Sequence, residues 1–242
     1  MAITGGYVSR GYRGRVIPVA APLRVRNRLR AAADGALSVV HRGPDAVYLD
    51  LDGWCVGVVG RRATAVPCAL RSTLDTLLEV RSASVHDGVL HLDDTPLVVG
   101  RLVDVSVPRV RGVEARFART STTEGETVDV AGLVGRGDGL TPYGDDVLCG
   151  WLAIHRAAGV PTPEVDAEVR AHLGRTTLLS ATLLDCAMHG EVIPEFGALV
   201  GALATPDEDA RAATLAAVGH SSGRGLLEGA RLALSSLEMV AA

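Results

Sequence analysis

The residues best suited to chemistry lie in one short run, Gly135-Arg136-Gly137-Asp138-Gly139-Leu140-Thr141-Pro142-Tyr143-Gly144-Asp145-Asp146. Its twelve positions hold four glycines, one proline and three aspartates, a composition that a helical core does not need. Glycine permits positive φ and lets the backbone approach a ligand closely, and Pro142 stiffens the loop. Val147, Leu148, Trp151 and Ile154 then share one face of an amphipathic helix. Capping accounts for one of the adjacent aspartates, because Asp is a favoured N-cap. Two acids exceed that need, and the second, with Asp146 the better candidate, is left for a ligand. The loop suits two chemistries. Its N–H groups can face an anion or polar ligand at the helix N-terminus, or Asp145 and Asp146 can hold a metal or orient a substrate N–H.

A second loop, Val218-Gly219-His220-Ser221-Ser222-Gly223-Arg224, also leads into a helix. It matches the Gly-x-Ser-x-Gly string of a nucleophile elbow, with Ser221 in the nucleophile's place. That motif requires a strand before it and, in hydrolase order, a histidine after it. Residues 214–218 read as helical and no histidine follows His220, so the elbow is rejected. An anion site fits better, with Gly219, Ser221, Ser222 and Gly223 supplying hydroxyls and N–H groups and Arg224 supplying charge. An exposed helix end alone contributes only about 0.3–1 kcal/mol, so an arginine or a second helix end must assist. His220 can move a proton near neutral pH. Thr177 and Ser180 stand three apart, on one helical face. No pair of histidines has metal-ligand spacing, so no metal ligand is assigned from them and no cofactor is expected.

The elements that position these loops differ along the chain. Residues 36–41, 46–51 and 54–59 are short Val- and Leu-rich runs, and Asp52-Gly53 and Asp87-Gly88 are hairpin signals. Residues 95–107 continue as strand, and residues 70–80 read as strand followed by a short helix. The first 33 residues carry Arg10, Arg13, Arg15, Arg24, Arg26, Arg28 and Arg30 and no acid. They read as a solvated basic face, with a subunit interface as the functional alternative. The polar stretch 116–126 marks a boundary, and helical periodicity follows it. The fold class expected is α+β: an N-terminal β-rich sheet or small barrel over residues 1–118, then a C-terminal helical domain over residues 119–242 that carries both loops.

Composition narrows the function. The chain of 242 residues is 48% hydrophobic, ample for a sizeable core. Its net charge of −4 gives no pull toward nucleic acid or an anionic membrane, and no apolar run is long enough to span a bilayer. All 24 basic residues are arginine, which removes Schiff-base and Walker-type lysine chemistry. Cys55, Cys68, Cys149 and Cys186 form no close pair and read as free buried thiols of a cytoplasmic protein.

Three stretches together resemble the AllH-type family: Gly-Leu-Thr-Pro-Tyr-Gly-Asp-Asp at 139–146, Thr-Thr-Leu-Leu-Ser at 176–180 with Ala-Met-His-Gly at 187–190, and Val-Gly-His-Ser-Ser-Gly at 218–223. A member of that family is a subunit of the oxamate carbamoyltransferase of anaerobic allantoin degradation. The resemblance covers the C-terminal half. It implies a carbamoyl transfer from oxalurate to phosphate, giving oxamate and carbamoyl phosphate, and partner subunits of the AllF and AllG types. Carried over by position, it points to His220, Asp146 and Ser221 as catalytic. It points to Gly139, Thr141, Gly144, Asp145, Thr177, Ser180, Gly219, Ser222 and Gly223 as substrate-binding; Arg224 joins them from the residue reading alone. The family usually has serine where this chain has Tyr143, and a Gly-x-Gly-Pro-Gly run where this chain has Gly135-Arg136-Gly137-Asp138-Gly139. Two alternatives stand beside a carbamoyltransferase: a non-catalytic ligand-binding subunit of a complex, and a metal-dependent hydrolase or lyase using Asp145 and Asp146.

Overall fold

Alternating Val- and Leu-rich runs separated by tight turns close into a barrel in the first half of the chain. The computed structural model describes residues 16–110 and 128–241. Its strands are β1 (Ile17–Pro22), β2 (Gly35–Arg42), β3 (Ala46–Leu51), β4 (Trp54–Val59), β5 (Ala69–Arg71), β6 (Ala83–His86), β7 (Val89–Leu92) and β8 (Thr95–Val103), and α1 (Leu23–Ala31) follows β1. The strands close in the order β1-β5-β4-β3-β2-β6-β7-β8. The expected small barrel is thus present, but it is mixed, since β5 runs parallel to β4 and β1 parallel to β8. Closure pairs the edges that an open sheet would leave free. Both Asp-Gly hairpins form, with φ of 52° and 77° at Asp52 and Gly53, and 51° and 74° at Asp87 and Gly88, as the twist-matching turn requires. A third turn at Asp93-Asp94 was not anticipated. Both residues have positive φ, and the Asp93 carboxylate holds the turn by accepting the N–H groups of Arg81 and Ser82.

Three other expectations change. The basic stretch contains β1 and a full helix, α1, whose Val25 and Leu29 enter the barrel core. Its arginines alternate with apolar residues, which hid the four-residue spacing of the buried pair; Arg10, Arg13 and Arg15 lie outside the described residues. No helix forms over residues 72–80, because Leu77 is buried in the barrel and its N–H bonds to the carbonyl of Pro44 at 2.8 Å. The last strand ends at Val103, and Ser106 instead bridges to Glu191.

The second half holds α2 (Val130–Leu133), α3 (Tyr143–Ala158), α4 (Pro163–His172), α5 (Leu178–Met188), α6 (Pro194–Ala202), α7 (Glu208–Ala216) and α8 (Ser222–Ala241), with a 3-10 turn at Leu173–Arg175. The proposed boundary near residue 118 lies outside the described residues. Helix α3 is central and is buried over nearly its whole length. It lies against α8 at a separation only glycine allows. A Cβ on Gly150 would come within 2.1 Å of the Leu226 carbonyl oxygen, and one on Gly229 within 1.9 Å of the Val147 oxygen.

Helix α5 joins the halves. Leu184, Ala187 and Met188 belong to the helical core, whereas Leu179 and Cys186 belong to the barrel core. The Thr182 hydroxyl accepts the buried N–H of Cys55 in β4 at 2.8 Å. Arg24 of α1 closes the junction from outside by pairing with Asp185 and, at 2.8 Å, with Glu191. The Trp54 indole N–H also donates to Asp185, at 3.0 Å.

Candidate functional site

The loop from Gly135 to Pro142 turns on glycines at positive φ, including Gly135 at 76° and Gly139 at 89°. Helix α3 then starts at Tyr143 with Pro142 as its N-cap, and no side chain caps it. Neither Asp145 nor Asp146 is the cap, contrary to expectation. They stand in the first turn, where their own N–H groups reach the Pro142 carbonyl and their charge suits the positive end of the helix.

Asp145 is fully buried. Its carboxylate accepts the Gly135 N–H at 2.8 Å, the Ser180 hydroxyl at 2.7 Å and the Thr176 hydroxyl. These bonds tie the glycine loop and the start of α5 to α3. Thr177 caps α5 by accepting the Ser180 N–H at 3.1 Å, and its own hydroxyl donates to the Leu140 carbonyl at 2.6 Å. Asp145, Thr177 and Ser180, each proposed for substrate binding, have hydrogen-bond partners within the protein: Ser180 on Asp145, and Thr177 on the Leu140 carbonyl and the Ser180 N–H.

Asp146 is only 4% exposed, and its Oδ2 is buried with no hydrogen-bond partner. Burial raises its carboxyl from 3.8 to about 7; the neighbouring charge of Asp145 adds to the rise, and the nearby hydroxyls of Ser222 and Thr141 oppose it. The side chain faces a narrow cleft of about 50 Å³ lined also by Pro67, Cys149, Leu183, Glu191 and Leu226. Cys149 stands one turn after Asp146 on the same face, and burial holds its thiol well above the ordinary range, so it is protonated at neutral pH. Larger concavities exist, notably one of about 680 Å³ between α1 and residues 102–106. Its Arg24 and Glu191 are already paired with each other. The small cleft is the better candidate because it is lined by a buried acid one of whose oxygens has no partner.

The two loops converge. The Thr141 and Ser222 hydroxyls are 2.8 Å apart, and a Cβ on Gly225 would lie 2.7 Å from the Asp146 Cβ. Gly144 is pressed against the Leu133 carbonyl and Gly223 against the Leu215 carbonyl, so neither position has room for a side chain. Gly139 and Gly219 are exposed at the outer bends, both with positive φ. His220 and Arg224 are exposed, and Arg224 donates to the His220 carbonyl at 2.9 Å. Ser221 is half-buried beside Ser222. Tyr143 turns away from the cleft, and its hydroxyl donates to Glu228 at 2.5 Å on the exposed side of α8. Among the described residues, no group of three or more His, Cys, Asp or Glu side chains is placed to hold a metal ion, and no helix is long and apolar enough to cross a membrane. All four cysteines are free and buried.

Sequence reasoning missed the barrel's share of the cleft. Pro67 follows no recognisable motif and reaches the site through the fold. Cys149 was legible from its i, i+3 spacing to Asp146.

Residues 133–234 match the family model described as oxamate carbamoyltransferase subunit AllH. The matched span runs from the end of α2 into α8 and contains both loops, α5 and the acid pair; the barrel lies outside it. A subunit in that family's name denotes a multi-protein assembly. No curated protein and no solved structure matches the chain.

Proposed function

We propose, taking that match as premise, that the chain is a carbamoyltransferase-type subunit whose small-molecule site is the cleft at Asp146. The observation that carries this reading is the buried, unpartnered Oδ2 of Asp146 at the point where both glycine loops meet. A carboxyl held near neutral pKa can donate a hydrogen bond as well as accept one. A carbamoyl group offers both complements, a carbonyl that accepts and an NH₂ that donates. In transfer from oxalurate to phosphate, a phosphate oxygen attacks the ureido carbonyl carbon. The bond from that carbon to the oxamate nitrogen then breaks, and the nitrogen takes a proton. Protonated Asp146 suits polarising that carbonyl or delivering that proton. The paired Thr141 and Ser222 hydroxyls stand at the Asp146 carboxyl, which makes Ser222 rather than Ser221 the serine of this site. Phosphate suits the exposed Gly219–Arg224 side, where His220 and Arg224 face solvent. Partner subunits of the AllF and AllG types would complete the assembly.

Carbamoyl phosphate formation from oxalurate and phosphate, measured with the chain and its partner subunits, tests the reading. Asp146→Asn is expected to lower turnover by roughly 10²–10⁴, the range of a lost general acid, and full activity in that variant would refute it. Ligand binding without turnover by the isolated chain would move the chemistry to a partner and leave this chain as the binding subunit.

A further inference from the structure

The cleft at Asp146 is small for any organic ligand. Its volume is about 50 Å³, room for a few waters, whereas small-molecule pockets run to about 300–1,000 Å³. One of its walls must give way on binding. Three of them are fixed. Helices α3 and α8 touch through backbone at Gly150 and Gly229, so neither shifts without a clash or a void. Helix α5 is tied to α3 by the Ser180 hydroxyl on Asp145, at 2.7 Å, and to β4 by the Cys55 N–H on Thr182, at 2.8 Å. Pro67 precedes Cys68, which is fully buried and whose carbonyl accepts the Gly57 N–H at 3.0 Å.

The fourth wall is the segment of residues 191–193, which lies between Gly190, at a φ of 71°, and Pro194, the first residue of α6. The Val192 N–H donates to the Val105 carbonyl at 2.8 Å, and the Val107 N–H to the Gly190 carbonyl at 2.7 Å. Residues 190–193 and 105–107 thus form one short ribbon. Open space lies behind it, because Val105, Ser106 and Glu191 line the concavity of about 680 Å³ beside α1. Glu191 lines both that concavity and the Asp146 cleft. The ribbon has room to withdraw, which the other walls lack. Its side-chain hold on the barrel half is Arg24 of α1, which donates to Glu191 at 2.8 Å and to Asp185 near the end of α5. The Arg24 and Glu191 side chains are 19% and 15% exposed, so salt screens this pair less than a surface one. The Glu191 N–H, on the Cys186 carbonyl at 2.9 Å, ties the segment to α5 and leaves Gly190 as the hinge, at the end of an element where hinges occur.

We propose that residues 190–193 form a movable strap over the Asp146 cleft, latched by Arg24 on Glu191 and opening toward the concavity beside α1 to admit the ligand. The ligand's entry rests on the reading that it occupies the Asp146 cleft; the opening itself is a property of the free chain.

Cys149 reports that opening. It lines the cleft, is 7% exposed, and reacts only when solvent reaches it. The purified wild-type chain and Arg24→Met are treated with iodoacetamide, and alkylation of Cys149 and Cys55 is followed by mass spectrometry of their peptides. Arg24→Met is expected to speed alkylation of Cys149 about tenfold or more, the effect of a lost charged hydrogen bond on an opening equilibrium. It is expected to leave Cys55, in the barrel core, unchanged. Glu191→Gln, nearly isosteric, is expected to act in the same direction to a smaller extent, and it serves if Arg24→Met fails to fold. Unchanged Cys149 alkylation in both variants, or an equal rise at Cys55, would overturn the inference. The strap and the cleft reading fail separately. If Cys149 becomes reactive as expected while Asp146→Asn keeps full carbamoyl transfer, the movable strap stands and the cleft reading falls. If Cys149 alkylation is unchanged while Asp146→Asn loses activity, the cleft stands and the strap falls.

Discussion

The first turn of α3 presents its two aspartates to different regions of the molecule. Asp145 faces the glycine loop and the start of α5, where three donors from two segments converge on it. Asp146, one residue on, faces the cleft between α8, α5 and the barrel loop at Pro67, and its Oδ2 has no partner. The identity and burial of the two residues are nearly the same. What differs is the supply of donors: three reach the Asp145 carboxylate, whereas at Asp146 the Ser222 and Thr141 hydroxyls are nearby and Oδ2 has no partner.

The strongest way to break the contrast is Asp145→Ala. It strands the Gly135 N–H and two hydroxyls, and a broken buried charge network of this kind costs about 3–5 kcal/mol. The chain has two tryptophans, with Trp54 in the barrel core and Trp151 in the helical core. Denaturation followed through single-tryptophan variants is expected to show the Trp151 transition moving to lower denaturant further than the Trp54 transition. Equal displacement of both would mean that Asp145 does not organise the helical half separately.

Asp146→Asn sharpens the comparison from the other side, through pH. The folded carboxyl holds its proton up to about pH 7, against 3.8 unfolded. Between those values the folded state binds a proton that the unfolded state has released, so stability falls as pH rises through the window. Asparagine carries no such penalty. The variant is expected to be more stable than wild type by about 1–3 kcal/mol near pH 8, and to match it near pH 4, when thermal melts are compared. His155, whose buried ring is pushed down to about 4, destabilises the fold in the opposite direction as pH falls below 6.5; it is common to both proteins and cancels in the difference. A variant no more stable than wild type near pH 8 would mean that Asp146 is not held neutral.

The smallest effect belongs to Tyr143→Phe, on the exposed side of α8. Loss of an exposed hydrogen bond to Glu228 is expected to cost under about 1 kcal/mol and to leave ligand affinity unchanged. A large loss of affinity would place Tyr143 at the ligand after all.

Much of this was legible locally. Asp52-Gly53 and Asp87-Gly88 specify their hairpins because both central residues need positive φ. The apolar spacing from Val147 to Ile154 specifies α3. The α1 helix was not legible, since its buried face consists of Val25 and Leu29 alone among arginines. The Asp93-Asp94 turn was missed because its stabilising donors, Arg81 and Ser82, are remote in sequence. For the candidate site, the two glycine loops and the surplus acid at Asp146 could be read from residue type and spacing. The engagement of Asp145 by Thr176 and Ser180, and of Thr177 by the Leu140 carbonyl, could not, because each hydroxyl and carboxylate looks equally available until its neighbours are known.

By itself the sequence determined that two glycine loops open helices and that two acids follow the first, because glycine conformations and apolar periodicity are properties of short segments. Only the tertiary structure decided which acid keeps an oxygen without a partner. Hydrogen bonding of a buried carboxylate depends on donors brought from other elements, and here Thr176 and Ser180 reach Asp145 while nothing reaches Oδ2 of Asp146.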